Sequence, residues 1–290
     1  LVWRTRCGQS ELKDTTDRIS ECGREVVSIK EEMKSAFMNV GFAVAFGMML
    51  LCLLGYSLPA WMVGTDWGDE YRQSALSLSI GGVFFGSSML LLPFCANTAY
   101  SISQVDEIHS SMMHWKVMRS SVRRYVLQKM AASMISATTA VSMAFALHAI
   151  LWNCIANPYN PVAHPYQAIT FAQGCIYSQW TGICYALPVY IWMAATMGFC
   201  VAIWSVVGLA VAVWVPDKLL IVIIPVCFYE LLSCKILDHL FGIAAPHPGL
   251  LYNDGICAPW VIRSFIMYSI IFAISLIVYF AGVKRRIQDA

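Results

Sequence analysis

Charge is what this sequence has least of. Only 12% of its 290 residues are charged, against 59% hydrophobic, whereas a soluble domain carries about 25% charged residues. A chain this long and this apolar has too little polar surface to cover a globule in water, so lipid is the expected solvent. The cysteines are scattered: none forms a C-x-x-C pair and none has a histidine at zinc-ligand spacing, which removes zinc-ribbon and disulfide-scaffold readings. No G-x-x-x-x-G-K-[ST] occurs, so the chain holds no phosphate-cradling loop of that type and is not expected to hydrolyse ATP by itself. G-x-S-x-G and H-E-x-x-H are also absent, which removes two common hydrolase readings. No cleavable signal peptide is legible, because the first apolar stretch is too long and follows a long polar leader.

Long apolar runs fill the space left by those absences. A bilayer-spanning helix needs about 20 apolar residues, and six segments qualify by pattern: about Ala36 to Leu58, Ala75 to Tyr100 with Pro93 inside it, Tyr125 to Trp152, Tyr185 to Val215, Leu219 to Leu237, and Trp260 to Val283. The expected architecture is an all-α integral membrane protein. Residues 1–35 form a leader and 36–290 a single six-span domain with a loop at 101–124. In the leader, Ile19, Cys22, Val26, Ile29 and Met33 step by three and four, the spacing of an amphipathic helix lying in the headgroup layer.

Lysine and arginine set the orientation. They gather in the leader (Arg4 through Lys34), in the loop (Lys116, Arg119, Arg123, Arg124), at Lys218, and in the tail (Lys284, Arg285, Arg286), whereas the opposite loops hold only Arg72 and Arg263. Both termini are therefore expected in the cytoplasm.

Ionisable groups inside spans are costly and are functional candidates by default. Glu230 and Lys235 in the fifth span are the pair to consider as pathway residues of a gradient-driven transporter or channel. The alternative is that this span breaks near Glu230 and leaves both groups at the water boundary. His148, His164 and His247 are lone histidines near the outer face, without a legible acid or nucleophile. Cys154, Cys175, Cys184 and Cys257 fall where an external disulfide is possible.

The loop is the most informative stretch. It begins with Asp106-Glu107, continues through Ile108, His109, Met112, Met113 and Trp115, and ends with Arg119, Arg123 and Arg124. Acid first and base last suits a helix dipole, and the Met and Trp residues offer an apolar knob to a partner; a solvated basic loop that merely sets topology fits the same residues.

The run Pro93-Phe94-Cys95-Ala96-Asn97-Thr98-Ala99-Tyr100, followed by Asp106-Glu107, Arg119 and Arg123-Arg124-Tyr125-Val126-Leu127-Gln128-Lys129, resembles the permease subunits of ABC-2 type transporters of Gram-positive bacteria. Those proteins have a span, an acidic element, a variable short helix, and an Arg/Tyr approach to a Lys at the foot of the next span. The likeness extends loosely over most of the chain, with one departure: no glycine follows Asp106-Glu107 here, and the short helix is rich in Met and His.

The resemblance implies a multi-pass permease in the bacterial plasma membrane, paired with a second permease subunit as homodimer or heterodimer. A separate ATP-binding cassette subunit would carry ATP and Mg, with no cofactor on this chain and no nucleic-acid partner. It implies a coupling helix whose docking residues are Asp106, Glu107, Ile108, His109, Met112 and Met113, with Arg123, Arg124 and Lys129 anchoring the foot of span three. It also implies export, and the sparsely charged spans fit an amphipathic or apolar cargo such as a peptide, drug or lipid.

Overall fold

The computed structural model describes residues 29–66, 75–84, 88–156, 187–233 and 258–289. About 92% of them are helical, with no strand. The elements in chain order are α1 (residues 29–37), α2 (Val40–Asp66), α3 (Ala75–Phe84), α4 (Ser88–Ala96), a π-helical turn (Asn97–Ser101), α5 (Ser103–His109), α6 (Met112–Arg119), α7 (Val122–Ile155), α8 (Leu187–Trp214), α9 (Leu220–Ser233) and α10 (Ala258–Gln288).

Among the described residues, four helices are long and apolar enough to cross a membrane: α2 over Val40–Met62, α7 over Val122–Ile155, α8 over Tyr190–Trp214 and α10 over Phe265–Gln288. Of the expected second span, Ala75–Phe84 forms α3, Ser88–Ala96 forms α4 and Asn97–Ser101 the π-turn, while residues 85–87 lie outside the described residues. Of the expected fifth span, α9 covers Leu220–Ser233, and the continuation through Lys235 lies outside the described residues. The amphipathic leader is described only from Ile29 onward.

The central helix is α8. Of its apolar window 89% is buried, against 22–44% for the other three long helices. It packs on α7 through small residues and hydroxyls. Thr138 Oγ1 donates to the Gly198 carbonyl at 3.1 Å and Ser142 Oγ donates to the Ala194 carbonyl at 3.2 Å, and from the π-turn Ser101 Oγ donates to the Ser205 carbonyl of α8 at 3.1 Å. Between apolar helices in lipid, small contacts and interhelical hydrogen bonds replace the missing hydrophobic drive.

The π-turn follows from its residues. Pro93 has no N–H to continue the ladder. Four residues later, the Asn97 side-chain amide donates to the Pro93 carbonyl at 2.7 Å, and Thr98 Oγ1 donates to the Phe94 carbonyl at 3.0 Å. Side chains that bond their own i−4 carbonyls compete with the backbone and bend helices. Asn97 fits because α8 offers Gly208 opposite it, where a Cβ would overlap the Asn97 amide. The turn redirects the chain so that α5 and α6 lie across the feet of α7, α8 and α10.

Candidate functional site at the foot of the bundle

Helix α7 starts cleanly: Ser121 is its N-cap, and its Oγ accepts the Arg124 backbone N–H at 3.3 Å. Two turns in, Lys129 is only 1% exposed. A buried ammonium needs partners, and three elements supply them. Lys129 Nζ pairs with Glu107 Oε1 of α5 at 2.6 Å and donates to Ser103 Oγ at 2.9 Å. It lies 3.8 Å from Glu32 Oε2 of α1 and 4.2 Å from the centroid of the Tyr100 ring. Lys116 of α6 closes the cluster, pairing with Glu107 Oε1 at 2.8 Å and with Glu32.

The tyrosines complete the network. Tyr100 donates to Glu32 at 2.5 Å, and Tyr125 donates to Glu107 Oε2 at 2.7 Å. The Gln104 carbonyl oxygen accepts from Tyr125 at 3.1 Å and from Tyr279 of α10 at 3.3 Å. Two carboxylates face two ammoniums, so the cluster is neutral while tying α1, α5, α6 and α7 together, with α10 joined through Gln104. Burial by itself raises the Glu107 pKa, but Lys129 and Lys116 outweigh it and leave the carboxyl below its ordinary range. Burial pulls Lys116 down, but Glu107 and Glu32 outweigh it, so its pKa is raised.

The short helix α6 has two faces. Met113 and Val117 are buried with Tyr125, Leu209, Val213 and Tyr279. On the opposite side Met112, Trp115 and Met118 are 52%, 63% and 77% exposed, three residues apart and so on one helical face. Between α5 and α6, Ser111 takes a left-handed φ of 57°, a conformation that glycine adopts without penalty.

The residues expected to dock a partner therefore divide. Met112 is exposed. Asp106 is exposed and pairs with Lys218 at 2.6 Å, and His109 Nε2 donates to the Pro216 carbonyl at 3.0 Å. Both thereby fasten α5 to the turn between α8 and α9. Ile108 is half-buried, and Glu107 and Met113 point inward. For Glu107 and Met113 the expected surface position is corrected: Lys129 draws the carboxylate in, and the α8–α10 contact draws in the thioether. Of the expected anchors, Lys129 is the buried one, Arg123 is exposed and Arg124 is half-buried. Sequence reasoning missed Glu32, Gln104 and Lys116 as partners. The available signal was Lys129 itself, a cation in an apolar span that requires a carboxylate.

Elsewhere, Glu230 is exposed on the outside of α9, while its neighbour Tyr229 packs inward against Trp204 at 5.5 Å between ring centroids. Glu230 thus does not face the bundle, and Lys235 lies outside the described residues. His148 is buried. The Trp152 indole donates to His148 Nε2 at 2.9 Å and to Ser57 Oγ at 3.0 Å, and Ser57 Oγ lies 2.9 Å from His148 Nε2. Among the described residues no carboxylate hydrogen-bonds to this group, so it is not an acid–base–nucleophile triad. Cys154 is exposed and unbridged; Cys175, Cys184 and Cys257, like His164 and His247, lie outside the described residues. No group of three or more His, Cys, Asp or Glu among the described residues is placed to hold a metal ion. No known protein family, curated protein or solved structure matches the chain.

Proposed function

We propose that the chain is the transmembrane permease subunit of an ATP-driven ABC transporter, with six spans and both termini in the cytoplasm. In this reading α5 and α6 form the coupling element, and a separate ATP-binding subunit docks on them. One observation carries the reading: the exposed apolar face of Met112, Trp115 and Met118 sits on a hairpin fastened to the feet of the long helices by the Glu107–Lys116–Lys129 cluster. An exposed aromatic and two methionines on a short helix suit a groove on a partner. The ion cluster gives that face a rigid connection to α7 and α1, so a displacement of the hairpin is passed to helices that line the bundle.

The docking set is thereby revised. Met112, Trp115 and Met118 make the contact, with Arg119 beside them; Glu107 and Lys129 transmit it. A second permease, identical or not, completes the pathway, and the cargo is an amphipathic or apolar molecule moved outward. The work comes from ATP, which must favour one conformation of the assembled complex over the other.

The test is purification of the chain from its native membrane in mild detergent, with the companion proteins identified. An ATP-binding subunit at equal stoichiometry, lost in the variant M112S/W115S/M118S, supports the proposal. A preparation that transports cargo with no ATPase present, driven by an ion gradient, overturns it.

A further inference from the structure

A second feature at the same end of the bundle concerns a different chemistry. Between α6, the end of α8 and the end of α10 lies a cavity of about 460 Å³. Its floor is apolar, with Met113 and Val213 from the buried cluster beneath the hairpin. Its rim carries Arg285, Arg286 and Asp289 from α10, two guanidiniums against one carboxylate, with His114 of α6 beside them. Arg286 Nε donates to the Val213 carbonyl at 2.5 Å. The Arg285 guanidinium lies 5.5 Å from the Trp214 ring centroid, and its Nε is 3.5 Å from Asp289. Among the described residues the Nη atoms of neither arginine make a hydrogen bond. Arg286 is thus held at its inner end, Arg285 is 65% exposed beside Trp214, and both keep their outer donors open. Gly282 permits the arrangement, because a Cβ there would press on Val213 and the Trp214 indole.

The position is informative too. Trp214 closes the apolar stretch of α8, and the two arginines follow directly on the apolar run of α10. The cavity therefore lies at the level where hydrocarbon gives way to headgroups. Arginine forks suit phosphate oxygens, and basic pockets between helices at this level take phospholipid heads.

We infer that this cavity is a phosphate-binding site for an anionic phospholipid headgroup, with Arg285 and Arg286 on the phosphate and the apolar floor beneath the glycerol end. Its occupant bridges α6 to α8 and α10. The inference stands whether or not an ATP-binding subunit docks on the opposite face of α6.

The test uses the full chain in nanodiscs of zwitterionic lipid, titrated with phosphatidylglycerol and separately with inorganic phosphate. Bound lipid is counted by native mass spectrometry after release into detergent. The expected result is one retained phosphatidylglycerol per chain, with affinity about tenfold or more weaker in R285Q/R286Q, and little change in K284Q, which removes a neighbouring exposed charge outside the cavity. R285K/R286K, which keeps the charges without the forks, is expected to fall between. A site filled equally well by inorganic phosphate identifies a free anion as the ligand and overturns the lipid assignment. Equal lipid retention by wild type and R285Q/R286Q, with both variants folded by thermal melting, overturns the site.

Discussion

Glu107→Gln tests the buried ion cluster most severely. The substitution keeps the shape of the side chain and removes the charge that faces Lys129 at 2.6 Å and Lys116 at 2.8 Å. Lys129 is 1% exposed and cannot turn to water. Removing one partner of a buried pair costs about 3–5 kcal/mol, because the other charge is left uncompensated. Here Glu32 remains 3.8 Å away, so the lower end, about 3 kcal/mol, is expected. At about 2–4 °C per kcal/mol for a chain of 150–250 residues, the melting temperature in detergent falls by roughly 6–12 °C. The double variant E107Q/K129M removes both charges and recovers most of that loss, since an apolar replacement of a buried pair is close to neutral. Asp106→Asn provides the contrast. It breaks the Lys218 pair, in which both side chains are 59% exposed, and solvent screening limits the cost to about 1 kcal/mol or less. An E107Q melting curve identical to wild type, or a double variant as unstable as the sum of the single ones, refutes the account of the cluster.

Other expectations follow from the same contacts. Because the Glu107 pKa is lowered from 4.5, its contribution is fully present above that value and is lost as pH falls through the depressed folded value; melting against pH should show an acid limb that E107Q flattens. The Lys116 pKa is raised from 10.5, so its contribution is present below that value and fades as pH rises through the higher folded value, an alkaline limb that K116M should flatten. Ser111→Gly relieves the left-handed φ and should stabilise the chain by about 0.5–1 kcal/mol, read as a small rise in melting temperature; a fall would show that Ser111 is not strained. Gly208→Leu drives a side chain into Asn97 and should cost about 1–3 kcal/mol, whereas the same substitution at Gly47, which has nothing within 4 Å of an added Cβ, should leave melting nearly unchanged.

The parts of the fold legible in the sequence were those set by long apolar runs. α2, α7, α8 and α10, each long and apolar enough to cross a membrane, overlap four of the six expected segments, with ends displaced by up to eight residues, because hydropathy over 20 residues is a local property. The break after Pro93 was legible as a proline but not as a π-turn, since that depends on Asn97 and Thr98 turning back on their own helix and on Gly208 making room from another. The site was legible by halves. Lys129 was expected only as an anchor at the foot of span three, through the resemblance, and not as a buried cation in need of carboxylates. Its partners were not legible, because Glu32 and Lys116 are 84 residues apart in the chain and meet only when α1 packs beside α6. Nor does the pair Asp106-Glu107 reveal which carboxylate turns inward: adjacent helical residues point about 100° apart, and the packed position of Lys129 decides between them. Met113 was expected on the surface with Met112 for the same reason, and Met118 escaped notice because its exposure is a property of the packed hairpin.

The claim that matters most is that the exposed face of α6 contacts an ATP-binding subunit, and site-specific photo-crosslinking in the native membrane addresses it directly. A benzophenone side chain placed at Trp115, which is 63% exposed, should yield a crosslinked ATP-binding subunit identifiable by mass spectrometry. The same side chain at Ile155, 50% exposed at the far end of α7, should yield none. No crosslink to an ATP-binding subunit from position 115, or an equal yield from both positions, would contradict the account.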